Sequence, residues 1–166
     1  MYNLEQSSFA RSRRAFLVGL ILPGRPGYVV DEHLDELAQL AESAGVEVAG
    51  RAVQGRRSAD SATWIGAGKV EEISAQAKEL KADLLIFDDD LTGSQVKNLE
   101  KATGLSIVDR SGLILDIFDQ RARSREARTQ VELARLKYSL PRLTRQWSHL
   151  SRQGGGVGAR GGEGEK

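Results

Sequence analysis

Up to residue 120 the chain switches repeatedly between two hydrophobic periods. AFLVGLIL (15–22) is an unbroken, β-rich apolar run closed by the turn sequence PGRPG. Asp31 to Ala41 then places its apolar residues at helical spacing until Gly45 stops it. VEVAGRAVQ (46–54) reads as a second strand, followed by a polar loop through Ser61. TWIGAG leads into a second amphipathic helix, Lys69 to Leu80, and DLLIF (83–87) is a short, wholly apolar strand of the kind buried on both faces. Thr92 to Ala102 is a third helix with Gly104 behind it, and LSIVD (105–109) is a fourth strand. Strand and helix in alternation predict an α/β fold, a small, mostly parallel four-stranded sheet with flanking helices, over residues 15–120.

From Ser111 onward the pattern changes. No glycine occurs between Arg121 and Gln153, and Leu133, Leu136, Leu140, Leu143, Trp147 and Leu150 recur at spacings of 3, 4, 3, 4 and 3. That is a heptad seam, and it predicts a long helix over 121–153. A lone helix with such a seam gains little stability in water, so it needs a partner helix or associates with itself. Pro141 lies inside the pattern and should kink or break the helix, because it lacks a backbone donor. The glycine-rich stretch 154–166 then reads as the tip of an antiparallel helical hairpin, with 121–153 as its first arm and residues 1–14 as a flexible tail. A disordered terminus is the other reading of those glycines.

Composition narrows the class. With 166 residues and 40% apolar content, one modest core plus an appendage is the expectation. The absence of cysteine excludes disulfides and thiolate metal sites and fits a reducing cytoplasm. The apolar run 15–22 follows Arg11, Arg13 and Arg14, but it leads into a turn and not a cleavage site. It is too short to span a bilayer, so no membrane insertion is expected. Charge is segregated: residues 1–120 carry 13 Lys/Arg against 19 Asp/Glu, whereas 121–160 carry 10 against 2. Such a basic stripe is either a polyanion footprint or a poorly balanced solvated face.

Several motifs carry candidate chemistry. Gly156-Val157-Gly158-Ala159-Arg160-Gly161 spells G-x-G-x-x-G, yet it follows a helical pattern where a dinucleotide loop follows a strand. The residues around it suggest RNA instead: Arg142, Arg145, Trp147, His149, Arg152 and Arg160 interleave cations with ring systems, and Gly154, Gly155, Gly156 and Gly158 allow close backbone approach to a phosphate chain. Trp147 either packs in the seam or stacks on a base. Gly66, Gly68 and Lys69 lie at a strand-to-helix junction and suit either a weak anion site or a structural turn. A P-loop there would need glycine in place of Thr63 and a hydroxyl in place of Val70. Asp88, Asp89 and Asp90 follow a buried strand; they could hold Mg²⁺ through water, or one could cap a helix while the others are solvated. His33 and His149, the only histidines, lie in different segments, and no zinc motif or nucleophile elbow is present.

VDRSGLILDIFDQRARSREARTQVELARLKYSLPRLTRQW, followed by SHLSRQGGGVGARGGEGE, closely resembles the amino-terminal domain of the HflX family of ribosome-associated GTP-binding proteins, and WIGAGKVEEI and FDDDLTGSQVKNLEK match the same family upstream. The similarity runs from about Ala15 to the last residue. It implies an α/β subdomain, a long helical hairpin and a GTPase domain beyond it. It also implies association with the large ribosomal subunit and its rRNA, a role in splitting stalled or idle ribosomes, and a hairpin tip near the peptidyl-transferase centre. The chain contains no P-loop or N-K-x-D motif. GTP hydrolysis is therefore not expected of these residues; GTP and Mg²⁺ would belong to a G domain that follows, and no cofactor is expected in this segment. The GGEGE end is spaced differently from the R-G-x-G-E of the family, and an ATP-linked activity credited to the amino-terminal region maps to no residue here. Two other classes remain beside this one: a free-standing α/β nucleotide- or anion-binding domain, and a scaffold that pairs its seam with a protein helix.

Overall fold

The computed structural model describes residues 14–141. In chain order these form β1 (Arg14–Ile21), α1 (Gly27–Ser43), β2 (Glu47–Gly55), α2 (Ala67–Glu79), β3 (Leu84–Phe87), α3 (Gly93–Thr103), β4 (Ser106–Asp109) and α4 (Arg110–Arg121). A further helix, α5, occupies 125–141 at the end of the described residues. The four strands pair in parallel in the order β2-β1-β3-β4, the α/β architecture that the alternating periods imply.

Helices cover both faces of the sheet, which explains why β1 and β3 read as unbroken apolar runs. Alternate side chains go to opposite layers. Ala15, Leu17, Leu84, Ile86 and Val108 meet Val30, Leu34, Leu37 and Ala41 of α1 together with Leu113 and Ile117 of α4. Phe16, Val18, Leu20, Leu85, Phe87 and Ile107 meet Val70, Ile73 and Ala77 of α2 and Leu99 of α3. Gly19 allows the close approach of α1 to β1, because a Cβ there would lie 2.8 Å from Val30 Cγ1. α1 starts directly behind Pro26, earlier than the Asp31 to Ala41 pattern indicates, because Val30 already belongs to the core. Thr92 and Gln95 close a capping box on α3, and Gly104 ends that helix at φ +70.

The helix expected over 121–153 begins at 125 and is described as far as 141. α4, which no sequence pattern singled out, ends at Arg121; Ala122 is extended (φ −70, ψ 113) and Ser124 Oγ accepts from Ala127 N at 3.0 Å. A serine that satisfies a free first-turn amide starts a new helix, which is why α5 begins at 125. Within α5, Val131, Arg135 and Tyr138 recur at spacings of 4 and 3 and face the α/β body. Leu133, Leu136 and Leu140, at about 100° per residue, centre on the opposite side of the helix and are each more than half exposed. The rest of the seam, the chain beyond Pro141 and the glycine-rich stretch lie outside the described residues.

Candidate functional site

In a parallel sheet the strand ends that share one edge are joined to helices by loops, and ligands collect where the strand order reverses. Here that point lies between β1 and β3. It is filled by side chains of the protein. Arg25, behind β1, donates from Nη2 to Asp89 Oδ2 at 2.9 Å and to the Leu20 carbonyl at 2.7 Å, while Nη1 pairs with Asp89 Oδ1. The hydrogen bond to Asp89 raises the guanidinium pKa against a smaller opposing effect of burial. Trp64 Nε1 donates to Asp89 Oδ2 at 3.2 Å.

The neighbouring carboxylates are engaged as well. Arg110 donates to Asp88 Oδ1 from Nε at 2.9 Å and from Nη2 at 2.6 Å, and Nη2 also donates to the His33 carbonyl at 2.9 Å. His33 Nδ1 lies 3.5 Å from Asp88 Oδ2. Ser111 Oγ donates to Asp90 Oδ1 at 2.6 Å. Asp88 and Asp89 are thus held by arginines and are neither a helix cap nor simply solvated, which corrects that reading for them, whereas Asp90 is exposed. Thr92 caps α3, and the strand order brings arginines from the ends of β1 and β4 against the acids. Among the described residues no group of three or more His, Asp or Glu side chains is arranged to hold a metal ion.

Trp64 reaches this edge from a loop built around Asp60. Asp60 Oδ1 accepts from Ala62 N at 2.8 Å and Thr63 N at 3.1 Å, and Asp60 and Trp64 exchange backbone hydrogen bonds at 2.9 Å. The amides of Ala62 and then Thr63 hold the Asp60 carboxyl below the ordinary aspartate range. Trp64 has φ 66, a conformation that costs a non-glycine residue about 1–3 kcal/mol. Such strain persists because the loop bonds on one side and Asp89 on the other fix the indole.

At the other candidate site, Gly66 is the residue before α2, and its N–H already donates to Gln54 Oε1 at 2.9 Å. A Cβ at Gly66 would come within 2.7 Å of Arg56 Nη1, so the end of that side chain would have to shift. Gly68 lies in the first turn of α2, Lys69 Nζ is 3.3 Å from Glu72 Oε2, and Val70 is buried in the core. Gly66 and Lys69 thus have internal partners, and without a hydroxyl at Val70 the set does not fit a nucleoside triphosphate with its magnesium.

The RNA-binding candidates Arg142, Arg145, Trp147, His149, Arg152, Gly154, Gly155, Gly156, Gly158 and Arg160 lie outside the described residues. The basic stretch is visible up to residue 141. Arg121, Arg123, Arg125, Arg128 and Lys137 are exposed, and among the described residues none forms an ion pair. Arg135 points inward instead, 2.7 Å from Asp116 and 3.5 Å from Asp119. Burial raises the Asp116 pKa, and Arg135 only partly offsets it. Among the described residues no helix is long and apolar enough to cross a membrane. Arg25, Trp64, Arg110, Asp109 and Tyr138 escaped the sequence reading, since no local pattern distinguishes an arginine that will meet an aspartate from one that will meet water.

The chain matches the GTP-binding GTPase N-terminal family over residues 31–119 and the GTP-binding GTPase Middle Region over residues 121–166. Its class is thus that of the N-terminal and middle regions of GTP-binding GTPases. It is 51% identical to the GTPase HflX of Caldanaerobacter subterraneus subsp. tengcongensis over 148 residues, covering 89% of this chain and 34% of that protein. It is 44% identical to the GTPase HflX of Escherichia coli over 130 residues, covering 78% of this chain and 30% of that protein. The chain belongs to the HflX family and spans about a third of the length of the curated relatives it matches. Among solved structures it is similar to a GTP-binding protein from the hyperthermophilic archaeon Sulfolobus solfataricus in complex with GDP, with TM-score 0.62, 26% identity and coverage of 82% of this chain and 40% of that one.

Proposed function

We propose that this chain is the region through which an HflX-family GTPase engages the RNA of the large ribosomal subunit in the cytoplasm, in the service of ribosome splitting or rescue. GTP hydrolysis and its Mg²⁺ would reside in a G domain outside these residues. The observation that best supports the reading is α5: its inward face is held by Arg135 and Tyr138, while Arg125, Arg128 and Lys137 are exposed. Among the described residues these cations have no carboxylate partner, which suits them to neutralising phosphates. RNA contacts are also assigned to Arg142, Arg145, Trp147, His149, Arg152, Gly154, Gly155, Gly156, Gly158 and Arg160, which follow these cations in the sequence and lie outside the described residues.

Co-sedimentation of the chain with purified large subunits at low and moderate salt, beside a version ending before Gln153, tests this. Binding that weakens with salt and is lost without the glycine-rich end is the expected result; salt-insensitive binding, or none, counts against it. The alternative of a free-standing nucleotide- or anion-binding domain is less well supported, because Gly66 N–H and Lys69 already have partners in Gln54 and Glu72. Saturable calorimetric titration with ATP or GTP would favour it.

A further inference from the structure

Asp109 ends β4 and is 1% exposed. Its Oδ2 accepts from Leu91 N at 3.0 Å, and its Oδ1 accepts from Gly112 N at 2.9 Å and from the Tyr138 hydroxyl. One buried carboxylate thus serves the loop behind β3, the first turn of α4, and α5. The carboxylate is planar and its two oxygens move together. Turning it to follow one partner withdraws it from the others and leaves a buried donor unsatisfied.

The attachment of α5 gives this arrangement a mechanical meaning. Only the non-helical residues 122–124 join α5 to α4, so the angle between them is not fixed by a continuous helix. Val131 and Arg135 hold the part of α5 nearer that link, and Tyr138 holds the part farther along. Gly112 makes the distal contact possible. A Cβ there would stand 3.1 Å from both Asp109 Oδ1 and Tyr138 Oη, wedged beside the hydrogen bond.

We propose that Tyr138 and Asp109 form a latch that fixes the pose of α5 on the α/β body and couples it to the loop 88–92, so that displacement of either is felt by the other. The loop carries Asp88 and Asp89, which hold Arg110 and Arg25. A change at that edge would therefore re-aim the basic helix, and anchoring of the helix would stiffen the edge.

Hydrogen exchange of the 166-residue chain, read at 131–141, at 88–92 and at the core strand 84–87, tests the proposal with Tyr138→Phe and Gly112→Ala. The first removes only the hydroxyl. The second inserts a methyl group beside the hydrogen bond while replacing a glycine in a helix by its best former, so α4 should not be weakened. Both are expected to speed exchange at 131–141 on the order of ten-fold and at 88–92 by a smaller factor, with 84–87 unchanged. If neither affects 131–141, there is no latch. If 131–141 loosens while 88–92 does not, the coupling is overturned. Should Tyr138→Phe also deprotect 84–87, general unfolding would be responsible, and Gly112→Ala decides.

Discussion

Arg25 and Asp89 join the ends of β1 and β3 across the point where the strand order reverses. Both side chains are largely withdrawn from solvent, at 25% and 14% exposure, and the indole of Trp64 leans on the same carboxylate. The crevice in which an open α/β sheet takes a ligand is thereby filled from within.

Truncating one member of this pair should be costly, since it strands the other. Asp89→Ala is expected to lower stability by about 2–4 kcal/mol, between the values for exposed and fully buried pairs. Arg25→Met combined with Asp89→Leu should recover a good part of that loss. Urea denaturation of the three variants measures both; a double variant no better than Asp89→Ala would mean that the pair is needed as charges.

The pH dependence of stability should carry a signature of Asp116. Its pKa is raised by burial, so the folded state holds this proton more tightly than the unfolded chain. Its stabilising contribution is full below the unfolded value of about 3.9 and is lost as pH rises through the folded value. Arg135→Leu removes the partner that lowers the pKa and should push the titration of Asp116 still higher, widening that window. Carbon-detected NMR titration of the carboxyl follows it; an unmoved or lowered midpoint contradicts the assignment.

Leu133, Leu136 and Leu140 face away from the α/β body. Changing each to Gln should alter stability by no more than about 0.5 kcal/mol, as for exposed positions generally. The same changes should abolish concentration-dependent self-association in sedimentation velocity, as expected when exposed leucines of two copies pair with each other. A wild-type chain that is monomeric at every concentration would show that the seam alone does not drive assembly.

For RNA, the prediction concerns the salt slope. Replacing Arg142, Arg145 and Arg152 together should weaken binding to the large subunit and flatten the plot of log K against log salt by about 2–3, given roughly 0.7–0.9 per phosphate contact. Weaker binding with an unchanged slope would assign these arginines to folding rather than to phosphates.

Much of this molecule is legible in one dimension. Periodicity and turn residues are local properties, and they determine the succession of strands and helices from β1 to β4, the parallel sheet with its two covered faces, the glycine stop at Gly104 and the apolar stripe that α5 exposes. The quoted motifs carry the family resemblance in the same way. What only the tertiary structure decided is partnership. The strand order places Arg25 beside Asp89 across 64 residues and Arg110 beside Asp88 across 22. It also gives Asp109 a tyrosine from a helix 29 residues on, and it supplies Gly66 and Lys69 with internal partners. α5 starts at 125 and not at 121 because Leu113 and Ile117 commit the preceding residues to α4 and the core, and Ser124, in a run without glycine or proline, caps the new helix. A hydrophobic pattern states which side chains leave water. Which charges then meet depends on which strand ends become neighbours, and that is fixed by the packing of the whole.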